Sequence, residues 1–203
     1  MALEVLNLEH VPATHRIYAA FFRDVNNSDF LHAQLLARNP DFDYAFIDAS
    51  SVISRRHLES AIFNALVTIV DGTLLSATPH SEVVLSMSPS NNISEAYRRW
   101  GISLKTKDLI VVKVAIPPSA DPTSTTQPAP QAPEEIWAHL SEAVKGTPVA
   151  LSDEEISKAT DWQKLRKYYA LNSVPMLAKV ESDEGKRKEM ERLAIMRMAL
   201  RGL

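Results

Sequence analysis

Two patterns of hydrophobic and polar positions alternate along the first half of the chain. Short runs of β-branched and aromatic residues predict β-strands, because such side chains pack well on a pleated sheet. The predicted strands are 2–8, Arg16–Phe22, Tyr44–Ile47, Glu82–Met87 and Leu109–Ile116. The last of these runs is apolar on both faces, which is typical of a central strand.

Longer segments, in which apolar residues recur three and four positions apart, predict helices between and after these strands. Ser28–Arg38 begins at a serine cap, and Arg55–Val70 ends at Asp71-Gly72. Further helices are predicted over 92–100, Glu134–Lys145, Ser152–Ala159, Asp161–Leu171 and Glu184–Leu200. The pattern therefore predicts an α/β (α+β) fold: a single domain with a mixed sheet of about five strands, flanking helices and a helical C-terminal part.

A proline-rich stretch interrupts this pattern. Six of the twelve prolines lie between Pro117 and Pro133, where no large apolar side chain occurs. Nothing there could offset the entropy cost of ordering the backbone, so we interpret 117–133 as a flexible loop. A domain boundary is the alternative, but the 70 residues that follow contain too few predicted strands for a core of their own. We therefore expect one domain over residues 1–203.

The composition is that of a globular protein of ordinary charge. Its 203 residues are 45% hydrophobic, and 22 basic against 25 acidic residues give a net charge of −3. A strongly basic protein that wraps nucleic acid is excluded, so any RNA contact must come from a local patch. No run of roughly 18 apolar residues occurs, and Glu4 stands where a signal peptide carries a basic residue. We expect no membrane contact and a location in the nucleus and cytoplasm.

Few residues are placed for catalysis. The five glycines are too widely spaced for a phosphate-binding loop, and the lack of cysteine excludes thiol chemistry and thiolate zinc sites. No two of the six histidines have the spacing that puts two metal ligands on one helix face. Asp41 and Asp43 could bind a divalent cation with a histidine, as in a small metal-dependent hydrolase, but a turn after Asn39-Pro40 is favoured. We therefore expect no catalytic residue, no metal site and no cofactor.

The most specific segment is 88–102. Asn92 followed by Glu95 is a variant of the capping box, and Gly101 predicts a left-handed residue that ends the helix. Between them, four apolar residues form one stripe along the helix: Ile93, Ala96, Tyr97 and Trp100. This stripe either packs into the core, as most such stripes do, or docks on a partner protein.

Several short motifs resemble one protein family. They are Ser88-Pro-Ser-Asn-Asn-Ile-Ser-Glu-Ala96, Arg98-Arg-Trp-Gly-Ile102, Glu82-Val-Val-Leu-Ser86, Ala45-Phe-Ile-Asp48, Ser60-Ala-Ile-Phe-Asn-Ala65, Leu165-Arg-Lys-Tyr-Tyr169 and Leu200-Arg-Gly-Leu203. Over most of the chain, these residues resemble the PRPK-binding-protein family, the small kinase-associated subunit of the KEOPS (EKC) complex. The proline-rich stretch is longer than the corresponding segment of compact family members.

The resemblance implies a non-catalytic subunit. Proteins of this family bind the small lobe of the complex's atypical kinase/ATPase, associate indirectly with the other KEOPS subunits, and help to recruit tRNA by its single-stranded 3′ end. The complex installs threonylcarbamoyl on the adenosine next to the anticodon, with the transfer chemistry in another subunit, and fungal members are linked to telomere maintenance. A structural scaffold without nucleic-acid contact is the alternative.

Two binding surfaces are predicted residue by residue. The kinase-binding surface draws on the 92–100 stripe and on the apolar end of the last helix: Ile93, Ala96, Tyr97, Trp100, Ile195 and Met198. Basic residues near aromatic ones favour single-stranded RNA, since cations bind phosphates while rings stack on bases. The predicted RNA-binding residues are Arg55, Arg56, Arg98, Arg99, Lys105, Lys107, Lys164, Arg166 and Lys167. For the last three, a solvated face of an amphipathic helix is the alternative.

Overall fold

Alternating β-branched and aromatic residues build one sheet. The structure of the protein, a computed structural model, describes residues 3–12, 14–116 and 131–201. Its strands are β1 (Leu3–Leu6), β2 (Arg16–Arg23), β3 (Ala45–Asp48), β4 (Leu109–Ala115) and β5 (Thr147–Val149). The order is β1-β2-β4-β3, and β5 pairs with the end of β2. The α/β class with five strands is confirmed, but these strands pair antiparallel throughout, whereas a mixed sheet was predicted.

Strand β4 lies at the centre of the sheet, between β2 and β3, as its doubly apolar pattern predicted. Ile110 and Val112 belong to a hydrophobic cluster on one face, and Leu109 and Val111 belong to a second cluster on the other face. Helices must therefore cover both sides of this strand.

Nine α-helices occur in the part of the chain that the structure describes. They are α1 (Ser28–Leu36), α2 (Arg55–Val70), α3 (Pro79–Ser86), α4 (Ile93–Trp100), α5 (Pro133–Ala143), α6 (Asp153–Ala159), α7 (Trp162–Tyr168), α8 (Pro175–Lys179) and α9 (Asp183–Ala199). Helices α1 and α5 pack on one face of the sheet, and the other seven contribute to the larger cluster on the opposite face. That larger cluster joins Leu6, near one end of the chain, with Met198, near the other.

Helix α3 replaces the strand predicted over Glu82–Met87, and this prediction was wrong. The Thr78 side chain accepts a hydrogen bond from the N–H of Ser81, and Pro79 occupies the first turn, where a missing N–H costs nothing. The β-branched run that suggested a strand is instead a helix buried on nearly all sides against α2 and the sheet. Capping and burial thus outweigh the strand propensity of valine.

Gly101 does not adopt the predicted left-handed conformation. Its backbone is extended, with φ −72° and ψ 166°, and it forms a bridge to Ile47 of β3. A Cβ atom at this position would lie 2.7 Å from the carbonyl oxygen of Tyr97, so glycine is required by the close approach of the chain. At the end of α2, by contrast, Gly72 has the expected positive φ of 66°.

Most of the proline-rich stretch lies outside the described residues. Residues 117–130 lie outside the described residues, so their assignment to a flexible loop stays a prediction. Pro133, the last residue of the stretch, is the first residue of α5. Among the helices that the structure describes, none combines the length and the apolar character needed to cross a bilayer.

Candidate functional site

The structure buries half of the predicted kinase-binding residues. Ala96 and Trp100 have no exposed area and Met198 is 2% exposed, so none of the three can contact a partner in this fold. The Trp100 ring packs 5.4 Å from that of Tyr168 and 5.5 Å from that of Tyr169. The core alternative is therefore correct for these three residues, and we withdraw them from the kinase-binding surface.

Ile93 and Tyr97 keep part of their surface accessible. The Tyr97 hydroxyl donates to Ser81 Oγ at 3.0 Å, which ties α4 to α3. Burial raises the pKa of Tyr97, so its hydroxyl stays protonated at neutral pH. Both side chains pack against the larger cluster, and they form the margin of a core rather than a free apolar face.

A chain of buried hydrogen bonds holds Tyr169, whose ring packs against Trp100 of α4. The N–H of Ile53 donates to His57 Nδ1 at 3.2 Å, so Nε2 carries the proton and donates to the Tyr169 hydroxyl at 2.8 Å. Tyr169 in turn donates to the carbonyl of Met87 at 2.6 Å. Because burial lowers the pKa of His57 to about 3, the ring stays neutral and the chain carries no charge.

An open apolar groove lies between α2 and α9. It has a volume of about 360 Å³, and we call it the α2–α9 groove. Its lining residues are Leu8, Glu9, Arg56, Glu59, Ser60, Phe63, Asn64, Ile195 and Ala199. Three further apolar side chains on the same helices are exposed, Val67 at 42%, Val70 at 52% and Met196 at 45%. Of the predicted kinase-binding residues, Ile195 alone lines this groove.

Phe63 and Val67 were missed from the sequence, although a signal was present. The stripe of Leu58, Ile62 and Leu66 accounts for the core-facing side of α2, and all three are buried. Phe63 and Val67 lie one position further along, on a second side that is also apolar. A helix that is apolar beyond the width of one stripe predicts a second contact surface.

Two basic residues from distant segments meet at one aromatic ring. The Arg99 guanidinium lies 5.1 Å from the centre of the Tyr168 ring and donates to the Tyr168 carbonyl at 3.3 Å. The Lys164 ammonium lies 5.9 Å from the same ring and 3.3 Å from Asp48 Oδ2. We call Arg99, Lys164 and Tyr168 the Tyr168 cluster. Tyr168 itself was not among the predicted RNA-binding residues.

Further predicted RNA-binding residues adjoin the Tyr168 cluster and are exposed: Arg98, Lys105, Lys107, Arg166 and Lys167. Arg98 lies on α4, next to Arg99, and Arg166 and Lys167 lie on α7. The loop that carries Lys105 and Lys107 reaches the cluster through Thr106, whose hydroxyl donates at 3.4 Å to the carboxylate oxygen of Asp48 that also binds Lys164. The structure thus connects three separate basic segments through the Tyr168 ring and the Asp48 carboxylate.

Arg55 and Arg56 lie elsewhere. The Arg55 guanidinium pairs with Glu4 of β1 at 2.7 Å and with Glu59 one turn along α2 at 2.8 Å. Two carboxylates compensate its charge, and Arg56 lines the α2–α9 groove. As two adjacent basic residues they were predicted to bind RNA, but their contacts place both outside the basic surface around Tyr168.

Asp41 and Asp43, the candidates for binding a divalent cation, have other partners. Asn39 Oδ1 accepts from the N–H of Asp41 at 3.1 Å, so the predicted turn is confirmed. Asp43 Oδ1 lies 2.9 Å from His80 Nδ1. His80 Nε2 accepts from the N–H of Val114, in the part of β4 that β3 does not pair with. Within the described ranges, no group of three or more potential ligand residues is arranged around a common metal position.

Comparison with known proteins identifies the family. A family model described as kinase binding protein CGI-121 matches residues 22–202. The chain belongs to the CGI-121 family. This confirms the resemblance found in the short motifs, and it agrees with a subunit that binds a kinase.

Fungal CGI-121 proteins are similar over the whole chain. A Neurospora crassa protein named EKC/KEOPS complex subunit cgi121 is 54% identical, with 100% of both chains covered. A Gibberella zeae protein named EKC/KEOPS complex subunit CGI121 is 53% identical with the same coverage. A Schizosaccharomyces pombe protein named EKC/KEOPS complex subunit cgi121 is 34% identical over 77% of this chain and 83% of its own.

Some residues of the motifs that indicate the CGI-121 family are fully internal in this fold. Glu82, Trp100 and Tyr169 come from three different motifs, and none of the three has exposed area. These three residues therefore define the fold through its packing, whereas other residues of the same motifs, such as Asn92 and Arg98, are exposed and accessible to a partner.

Proposed function

We propose that this protein is the non-catalytic, kinase-binding subunit of an EKC/KEOPS complex, and that it also helps to recruit the tRNA that the complex modifies. Its similarity over the full chain to fungal proteins that carry the subunit name is the observation that supports this most strongly. The threonylcarbamoyl transfer then takes place in another subunit. A telomeric role, which the resemblance also implies, stays a prediction.

The α2–α9 groove is the proposed docking surface for the kinase. Phe63, Ile195 and Ala199 form an apolar floor, and Glu9, Arg56 and Glu59 stand around it. Stable protein interfaces have this arrangement, with an apolar centre that excludes water and a polar rim. Exposed aliphatic side chains on both helices extend the apolar area beyond the groove itself.

Ile195→Asp should abolish co-purification with the kinase subunit. The substitution places a charge at the centre of the apolar floor, where a docked partner would desolvate it, and central interface residues commonly contribute about 2 kcal/mol or more, a loss of roughly thirtyfold in affinity. Co-expression with the kinase followed by size-exclusion chromatography and calorimetry measures the effect. Leu36→Asp is the matched control, because Leu36 is 70% exposed on α1, across the sheet. A folded Ile195→Asp protein with wild-type affinity would refute this docking surface.

The Tyr168 cluster is the proposed contact for the single-stranded 3′ end of tRNA. Single-stranded nucleic acid is bound by cations that follow its phosphates and by aromatic rings that stack on its bases. Arg99 and Lys164 contact the Tyr168 ring, and the exposed Arg98 and Lys167, their neighbours on the same helices, supply further cations. With a net charge of −3, the isolated subunit should bind tRNA weakly.

Arg98→Glu combined with Lys167→Glu should weaken tRNA binding and flatten its dependence on salt. Each lost phosphate contact lowers the slope of log K against log salt by about 0.7 for a single strand. Fluorescence anisotropy with tRNA, with and without its 3′ single strand, measures both quantities. Lys188→Glu is the control, since Lys188 is an exposed cation on α9. An unchanged slope would remove Arg98 and Lys167 from the tRNA contact, and equal binding of the two tRNAs by the wild type would rule out recognition of the 3′ end. Binding of neither tRNA would favour a scaffold without nucleic-acid contact.

A further inference from the structure

A second cavity lies across the sheet from the α2–α9 groove, between α1 and α5. It is the larger of the two, with a volume of about 600 Å³, and we call it the α1–α5 cavity. Its lining residues are Asn27, Phe30, Phe42, His139, Glu142, Ala143 and Lys145. Neither proposed binding surface includes any of these residues, so the cavity has no role in the function proposed above.

Three rings form the walls of the α1–α5 cavity. The centres of Phe30 and Phe42 are 5.6 Å apart with the rings at 81°, and those of Phe42 and His139 are 5.0 Å apart at 68°. Rings set nearly at right angles make corners that can surround one occupant. The Tyr44 hydroxyl, 2.9 Å from His139 Nδ1, fixes the imidazole, whereas Phe30 stays 44% exposed.

The charges of the cavity favour a cation. Glu142 lines it, and the exposed Asp29 and Asp41 adjoin Phe30 and Phe42 in the chain. The C-terminus of α5, which carries the negative end of the helix dipole, also faces it through Ala143. Lys145 also lines the cavity and its ammonium donates to the carbonyl of Glu142 at 2.7 Å. Its charge offsets that of Glu142, so the negative excess comes from Asp29, Asp41 and the end of α5.

We propose that the α1–α5 cavity binds a cationic side chain, a guanidinium or a methylated ammonium, presented by a partner protein. Aromatic walls attract such ions through the negative faces of their rings, and a carboxylate at the rim completes the recognition. The cavity is large and open enough to admit part of the polypeptide that carries the side chain. An anion would instead meet Glu142 and the negative end of α5.

A short arginine peptide, Ac-Gly-Ala-Arg-Ala-amide, tests the proposal against its citrulline counterpart, which has the same shape without the charge. Amide chemical shifts of His139 and Lys145, followed by NMR, should move with the arginine peptide and much less with citrulline. Phe30→Ala should weaken binding roughly tenfold, Glu142→Gln should weaken it severalfold, and Lys145→Met should strengthen it. Leu36→Ala on α1 and Glu134→Gln on α5 are controls that should change nothing.

Three results would overturn the proposal. Equal affinity for the arginine and citrulline peptides would mean that the charge is not recognised. Weaker binding by Lys145→Met together with stronger binding by Glu142→Gln would mean that the cavity prefers an anion. No shift at His139 with the arginine, methylated lysine or tetramethylammonium probe up to about 10 mM would mean that it holds no cation.

Discussion

Replacing Arg201 with methionine should lower the free energy of unfolding by about 3–5 kcal/mol, the usual cost of leaving a buried charge without its partner. The Arg201 side chain is 8% exposed, and its Nη2 lies 3.3 Å from Oε1 of Glu82, which has no exposed area. Glu82 Oε2 also accepts from the backbone N–H groups of Leu75 and Ser76 at 3.1 and 3.0 Å. These bonds remain in the variant, but the charge of the carboxylate is no longer compensated.

Urea denaturation of the Arg201→Met protein measures this loss. Adding Glu82→Gln should recover part of it, because the amide removes the unpaired charge while its oxygen can still accept from the loop. Arg192→Met is the matched control: Arg192 pairs with Glu189 at the surface, and exposed pairs contribute about 1 kcal/mol or less. If Arg201→Met costs no more than Arg192→Met, the Glu82–Arg201 pair does not secure the end of α9.

This ion pair shows where the sequence pattern was insufficient. Glu82 and Arg201 stand in two motifs of the family resemblance, 119 residues apart, and periodicity alone does not predict which residue covers a buried carboxylate. Periodicity also assigned Glu82 to a strand. The capping signal at Thr78-Pro79 was available, but valine and leucine side chains fit a buried helix and a buried strand equally well.

The elements with a strong local signal were predicted within a few residues. Strand β2 was expected at Arg16–Phe22 and runs Arg16–Arg23, and helix α2 was predicted with its observed bounds, Arg55–Val70. In both elements, the spacing of the hydrophobic residues and the residue types at the two ends predict the same kind of structure. The three-residue β5 and the five-residue α8 were missed, because segments so short do not contain two full repeats of the strand or the helix pattern.

The candidate sites were harder to predict, because accessibility depends on neighbours that are distant in sequence. Trp100 and Ile195 both stand in apolar helical stripes. Tyr168 at the end of α7 and Tyr169 directly after it cover Trp100, whereas Ile195 is left beside an open groove. The basic surface has the same origin, since Arg99 and Lys164 come together only through the ring of Tyr168.

Acidification from pH 6.5 to 4.5 should lower the free energy of unfolding by roughly 2–3 kcal/mol through His57 alone. Burial lowers the pKa of His57 from its ordinary 6.5 to about 3, so its stabilising contribution is complete above pH 6.5 and is lost as the pH falls toward 3. Burial also lowers the pKa of His80, which adds an effect of the same sign.

Urea denaturation of the wild type and of His57→Gln at several pH values separates the contribution of His57 from that of His80. Glutamine can accept from Ile53 and donate to Tyr169 as the imidazole does, but it takes up no proton. Its stability should therefore fall less steeply with acid, by up to about 1.4 kcal/mol per pH unit. Parallel curves for the wild type and His57→Gln would mean that His57 takes up its proton equally readily in the folded and the unfolded protein, and that burial does not keep the chain from Ile53 to Met87 neutral.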